Sequence, residues 1–143
     1  MNGKEKINLA GIKRVAIDTN IFIYHFQNVA PFKTKTDLVF EALISGRLKG
    51  ITSILAKSEL LSYKRPPKVI SALKEQFEST PSLTVYEVDD AIAMKAAELR
   101  RKYSFRLPDA IQLATAIIAK AGAFLTNDGR LKKCKEIKVI VIK

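Results

Sequence analysis

The sequence predicts an α/β protein: a central, mostly parallel twisted sheet of about four to five strands with helices on both faces. Short apolar, β-compatible runs alternate along the chain with segments of helical spacing, the pattern of strand and helix units wound into one sheet. The chain has 143 residues, 48% of them hydrophobic, which is enough for one substantial core. No repeat, linker or low-complexity tract divides it, so residues 1–143 are expected to form a single domain.

Val15, Ala16 and Ile17 make the first apolar run, which ends at Asp18, and Ile21 to Phe26 begins a helix. Asp37 to Arg47 has helical spacing that stops at Gly46. Gly50 to Ser53 is a brief strand leading into a helix around Leu55 to Tyr63. Pro66 and Pro67 suit the first turn of the next helix, which carries Val69, Ile70, Leu73 and Phe77 before Pro81 closes it. Ser82 to Val88 alternates as a strand, and Ala91 to Tyr103 is an amphipathic helix. Pro108 starts a last helix in which Ile111, Leu113, Ala114, Ile117 and Ile118 leave almost no polar face, so it is expected to be buried. Ala123 to Thr126 and Ile137 to Ile142 read as final strands, separated by the Asn127-Asp128-Gly129 turn and a lysine-rich segment.

The formal net charge is +11, a positive field that attracts polyanions, with nucleic acid foremost. One cysteine, Cys134, excludes an internal disulfide framework and a cysteine zinc cluster. Met1 to Lys13 lacks the apolar stretch of a secretory signal, and nothing later approaches a membrane span. The expectation is a cytoplasmic protein without membrane partners.

In sheets of this kind ligands bind beyond the carboxyl ends of the strands, and four acids sit where that rule directs attention. Asp18 directly follows the first strand, where helix capping would also explain it. Glu59 lies four residues after Leu55 and three after Ala56, on a helix face shared with apolar side chains; a surface pair with Lys64 is its ordinary structural explanation. Asp109 follows Pro108 in the first turn of the apolar helix, where the macrodipole favours an acid. Asp128 follows the strand ending at Thr126 and precedes Gly129, as turn chemistry alone would allow.

Four ordered segments bring a family into view: Ile17-Asp18-Thr19-Asn20-Ile21, Ser58-Glu59-Leu60, Leu107-Pro108-Asp109-Ala110 and Leu125-Thr126-Asn127-Asp128. Together they span most of the chain, which resembles the PIN-domain nucleases and, among them, the VapC-type toxins of toxin-antitoxin pairs. The resemblance implies a three-layer PIN-like fold and an acidic cluster of Asp18, Glu59, Asp109 and Asp128, with Thr19, Asn20 and Thr126 in supporting hydrogen bonds. It also implies an RNA substrate, a cognate antitoxin and a homodimer.

Several carboxylates in one cleft repel one another, and Mg²⁺ or Mn²⁺, which prefer oxygen ligands, would relieve that conflict. The expected activity is metal-dependent hydrolysis of RNA phosphodiester bonds, with Asp18 and Asp109 as principal ligands, Asp128 as a direct or water-mediated ligand, and Glu59 as ligand or water-orienting base. Lys64, Arg65, Arg106, Arg130, Lys132 and Lys133 are the candidates for holding the RNA backbone. Two alternatives stand beside this one. The first is a catalytically silent module that binds RNA or protein. The second is a haloacid dehalogenase-like phosphohydrolase with Asp18 as nucleophile, against which Asn20 counts, because that class usually has a second acid there. His25, the only histidine, is expected to be packed or superficial, and Cys134 to be structural. Ile23, Phe26 and Phe40 on the early helices are candidates for subunit contacts or for the core.

Overall fold

A computed structural model of the chain describes residues 7–143. The expectation about a secretory signal reaches into residues 1–6, which lie outside the described part. The elements run β1 Arg14–Ile17, α1 Thr19–Phe26, α2 Lys33–Ser45, β2 Lys49–Ser53, α3 Ile54–Leu61, α4 Pro67–Glu78, β3 Leu83–Tyr86, α5 Asp90–Tyr103, α6 Leu107–Ile118, β4 Ala123–Thr126, a 3-10 helix Gly129–Lys133, and β5 Val139–Val141.

The five strands form one sheet in the order β3-β2-β1-β4-β5. All four pairings are parallel, so the sheet is wholly parallel within the described residues. Because neighbouring side chains on a strand face opposite ways, Val15, Ile17, Ala123 and Leu125 enter one core, while Ala16 and Phe124 enter the other. The first core joins the sheet to α1 through α4, with Phe22, Leu43, Leu60 and Phe77 at its centre. The second joins it to α5 and α6 through Ile92, Ala96, Leu99, Leu113 and Ala114. The result is the expected three-layer arrangement.

Some boundaries differ from the sequence reading. Helix α2 starts at Lys33, ahead of Asp37, because its first turn is fixed by tertiary burial of Thr36, whose hydroxyl donates to the Lys33 carbonyl at 3.1 Å. The two edge strands are shorter than their apolar patterns. The lysine-rich segment contains a 3-10 turn anchored by buried Leu131. Helix α6 is not buried all round: Leu107 and Ile118 are exposed, and two polar residues, Gln112 and Thr115, are buried instead. Thr115 is satisfied by its own helix, donating to the Ile111 carbonyl at 2.7 Å.

Phe40 is buried, and Ile23 and Phe26 pack against the same core, which assigns all three to the fold. His25 lies flat on Phe40, centroids 3.9 Å apart, with Nδ1 2.9 Å from Asp37; it is a packed residue. Cys134 is buried in the second core and its thiol is pushed up by that burial, as a structural cysteine requires. Among the described residues no helix is long and apolar enough to cross a membrane.

Candidate active site

The strand order reverses direction between β1 and β4. The connection after β1 leads to β2 on one side, and the chain later returns to place β4 on the other. The helices after these strands therefore leave opposite faces, opening a crevice at the carboxyl ends. Asp18 and Asp128 come from the two sides of that crevice.

Asp18 ends β1 and caps α1, its Oδ1 accepting from the Thr19 N–H at 2.8 Å. Its backbone N–H donates to the Leu125 carbonyl at 2.9 Å, which extends the β1–β4 pairing by one step. Its Oδ2 accepts from the Thr126 hydroxyl at 2.6 Å. That hydroxyl also accepts from the Asp128 N–H at 3.1 Å. Thr126 thus ties the two strand-end acids together while being wholly buried.

Burial pushes the Asp18 carboxyl up to about 6. The Thr126 hydroxyl and Thr19 N–H act against this, and the negative charges of Asp109 and Glu59 add to it. Two other acids are therefore near enough to be felt at Asp18. Asp109 stands in the first turn of α6, 17% exposed, with Arg106 Nε 3.3 Å from its Oδ2. Glu59 reaches in from α3, accepting from Thr19 Oγ1 at 2.8 Å. Among the described residues its bonds come from Thr19 and Gln112 rather than from Lys64.

Asp128 is held differently. Arg130, two residues on, donates from Nε at 3.0 Å to Oδ1 and from Nη2 at 2.6 Å to Oδ2. This fork holds the carboxyl below the usual range, helped by the charge of Arg106. Arg130 in turn feels Asp109, so each arginine pairs with one of these acids and is felt by the other.

Gln112 was missed in the sequence. It is 3% exposed on the most apolar helix, one turn beyond Asp109, and its Nε2 lies 3.3 Å from Thr19 Oγ1 and 3.5 Å from Glu59 Oε1. A polar residue on the buried stripe of α6, three positions after an acid, was the available signal. Asn20 has a buried Oδ1 with no hydrogen-bond partner among the described residues. Lys64 and Arg65 lie between α3 and α4, with Arg65 5.2 Å from the Tyr63 ring centroid; neither forms an ion pair with the four acids among the described residues.

The donor set suits a hard cation. Every side chain is an oxygen donor, Asp18 is destabilised as an anion, and the Asn20 oxygen is an unused acceptor. Among the described residues no three acids, histidines or cysteines close into a ready cage, but Mg²⁺ keeps several waters and needs only one or two carboxylates with substrate phosphate. An open arrangement fits it.

The PIN domain family model matches residues 15–137. The chain belongs to the PIN domain family, whose members are in general nucleases. Among solved structures it is similar to VapBC2 from Rickettsia felis bound to a promoter DNA fragment, with TM-score 0.74 and 17% identity over 91% of this chain and 99% of that one. It is also similar to a toxin-antitoxin complex from Klebsiella pneumoniae, with TM-score 0.66 and 21% identity over 89% and 96%. A third is FitAcB from Neisseria gonorrhoeae, with TM-score 0.66 and 19% identity over 88% and 96%. These likenesses establish the shared fold. No curated protein sequence matches the chain.

Proposed function

We propose that the protein is a divalent-metal-dependent endoribonuclease, the toxin of a VapBC-type toxin-antitoxin pair. The observation that carries the reading is a buried Asp18 at the sheet's switch point that feels the negative charge of Asp109 and Glu59, with Glu59 bonded to its neighbour Thr19. Asp18 and Asp109 would hold Mg²⁺ or Mn²⁺, with Asp128 as direct or water-mediated ligand. When bound, the metal supplies stabilisation of phosphoryl charge and a water of lowered pKa.

The chain's own residues do the rest. Thr126 and the Thr19 N–H fix both oxygens of Asp18, each of which keeps a further lone pair for a cation. Gln112 and Thr19 hold the Glu59 carboxylate, which takes a proton from the attacking water as phosphodiester hydrolysis begins. Arg106 and Arg130 exchange their carboxylate partners for the phosphate backbone. Both oxygens of Asp18 are engaged, an arrangement that gives no support to an aspartyl-phosphate mechanism; phosphate trapped on Asp18 would revive it.

The neighbours described as toxin-antitoxin complexes support a cognate antitoxin as partner. A homodimer acting in the cytoplasm completes the reading. The Arg130 fork on Asp128 and the Arg106 contact on Asp109 favour one competitor, a catalytically silent RNA- or protein-binding module. Cleavage of structured and single-stranded RNAs separates the two. The nuclease cuts with Mg²⁺ or Mn²⁺ and stops with EDTA, whereas the silent module binds RNA and leaves it intact under every condition.

A further inference from the structure

The segment leaving the site carries Arg130, Lys132, Lys133, Lys135 and Lys138 against one acid, Glu136. Its geometry is set by two buried anchors, Leu131 and Cys134, one turn apart in the second core. With those side chains inward, Lys132, Lys133 and Lys135 project to solvent. The one acid is already engaged: Glu136 Oε1 is 2.6 Å from Lys95, and Oε2 is 4.0 Å from Lys102. Around it lies an open cleft of about 510 Å³ that Glu136 lines together with Lys132, Lys135 and Lys138, three cations to one already paired acid.

The cleft is joined to the acidic centre by further cations. Lys133 Nζ lies 5.6 Å from the Phe105 ring centroid, next in sequence to Arg106, and Lys102 Nζ lies 5.3 Å from the Tyr103 centroid. The Tyr103 hydroxyl accepts from the Lys135 N–H at 3.2 Å. A basic surface therefore runs from Arg106 and Arg130 past α5 to the start of β5, at the opposite end of the sheet.

We propose that this cleft is a second RNA site, holding the backbone of a single-stranded stretch that continues away from the acidic centre. The inference rests on the nuclease reading only for the direction of the strand. Lys132, Lys135 and Lys138, which form no ion pair among the described residues, are spaced along a surface that leads to the proposed nuclease centre and fit a polyanion with regularly spaced charges. An acidic protein is the rival occupant, and it would not require continuity with the acids.

The test is fluorescence anisotropy of the intact protein in EDTA, where no cleavage occurs, with labelled single-stranded RNAs of about 16 and about 4 nucleotides, longer and shorter than a single-strand binding fold covers. Lys132→Gln, Lys135→Gln and Lys138→Gln are combined in one variant. A control combines Arg47→Gln, Lys74→Gln and Lys120→Gln, all exposed and elsewhere. The cleft variant is expected to bind the longer RNA at least ~10-fold more weakly, with a salt slope smaller by about 2, while the control changes little. Equal weakening by both variants would reduce the effect to net charge and overturn the proposal. So would displacement of the RNA by polyglutamate as effectively as by unlabelled RNA. Binding in EDTA is independent of catalysis, so the site and the nuclease reading can fail separately.

Discussion

Asp18 is the residue at which stability and function oppose each other. A carboxyl raised from 3.8 to about 6 by burial binds a proton more tightly folded than unfolded. Its contribution to stability therefore falls as pH rises from about 4 to about 6, and stays at the lower level above that, by roughly 3 kcal/mol. Asp18→Asn removes the charge and keeps one acceptor for the Thr19 N–H, while its NH2 has to donate to the Thr126 hydroxyl instead of accepting from it. Thermal unfolding should show the variant more stable than the parent at pH 7 to 8 and nearly equal at pH 4, with RNA cleavage abolished. Stabilisation independent of pH would contradict the burial argument. Mg²⁺ should raise the melting temperature of the parent and much less that of Asp18→Asn.

Gln112 makes a second prediction at the same scale. Gln112→Met fills similar volume but leaves Thr19 and Glu59 without their amide partner. Single-turnover cleavage should fall by roughly 10-fold or more with little change in RNA affinity, since a group that places a proton acceptor acts on the chemical step. The pH profile of the rate should also change, which a purely structural role for Gln112 would not produce.

Among the elements, the first strand and its helix were the most legible. Val15 to Ile17, Asp18 and Ile21 to Phe26 appear as expected because burial pattern and capping chemistry agree there. The start of α2 was hidden, since Thr36 is buried by neighbours that its own segment does not reveal. Position after strands and at a helix start singled out Asp18, Asp128 and Asp109, whereas Glu59 in the middle of α3 drew attention through the family resemblance, and the glutamine bonded to it was not singled out. Gln112 looks like a flaw in an apolar helix until α3 is folded against α6. The arginine fork was invisible too, because sequence proximity of Arg130 to Asp128 does not say which way either side chain turns. Gly50 tests the packing of β2: a Cβ there would lie 3.0 Å from Leu83 Cδ1 and 3.3 Å from both Ile17 Cδ1 and Leu43 Cδ2. Gly50→Ala should cost about 1 to 3 kcal/mol in denaturant unfolding. A neutral or stabilising result would mean that α2 and β3 yield more readily than the close contacts suggest.

For the whole molecule, the fold class and the basic charge were read from composition and alternation, and the parallel order β3-β2-β1-β4-β5 sets Asp18 and Thr126 at the ends of neighbouring strands. The net charge of +11 surrounds a candidate site that is itself acidic, so under the proposed function substrate attraction and metal retention would be served by different parts of the surface. RNA affinity should accordingly fall steeply between 50 and 200 mM salt, by ~10²-fold or more if several phosphates are held.

The most direct test of the central claim is endonucleolytic cleavage of a panel of RNAs by the parent protein, Asp18→Asn and Asp109→Asn, each with Mg²⁺ or Mn²⁺ and again after EDTA. The four-acid site predicts metal-dependent cleavage by the parent, abolished by EDTA and lost or reduced by at least ~10²-fold in both variants. Cleavage that survives EDTA, or that both substitutions leave unchanged, would contradict it.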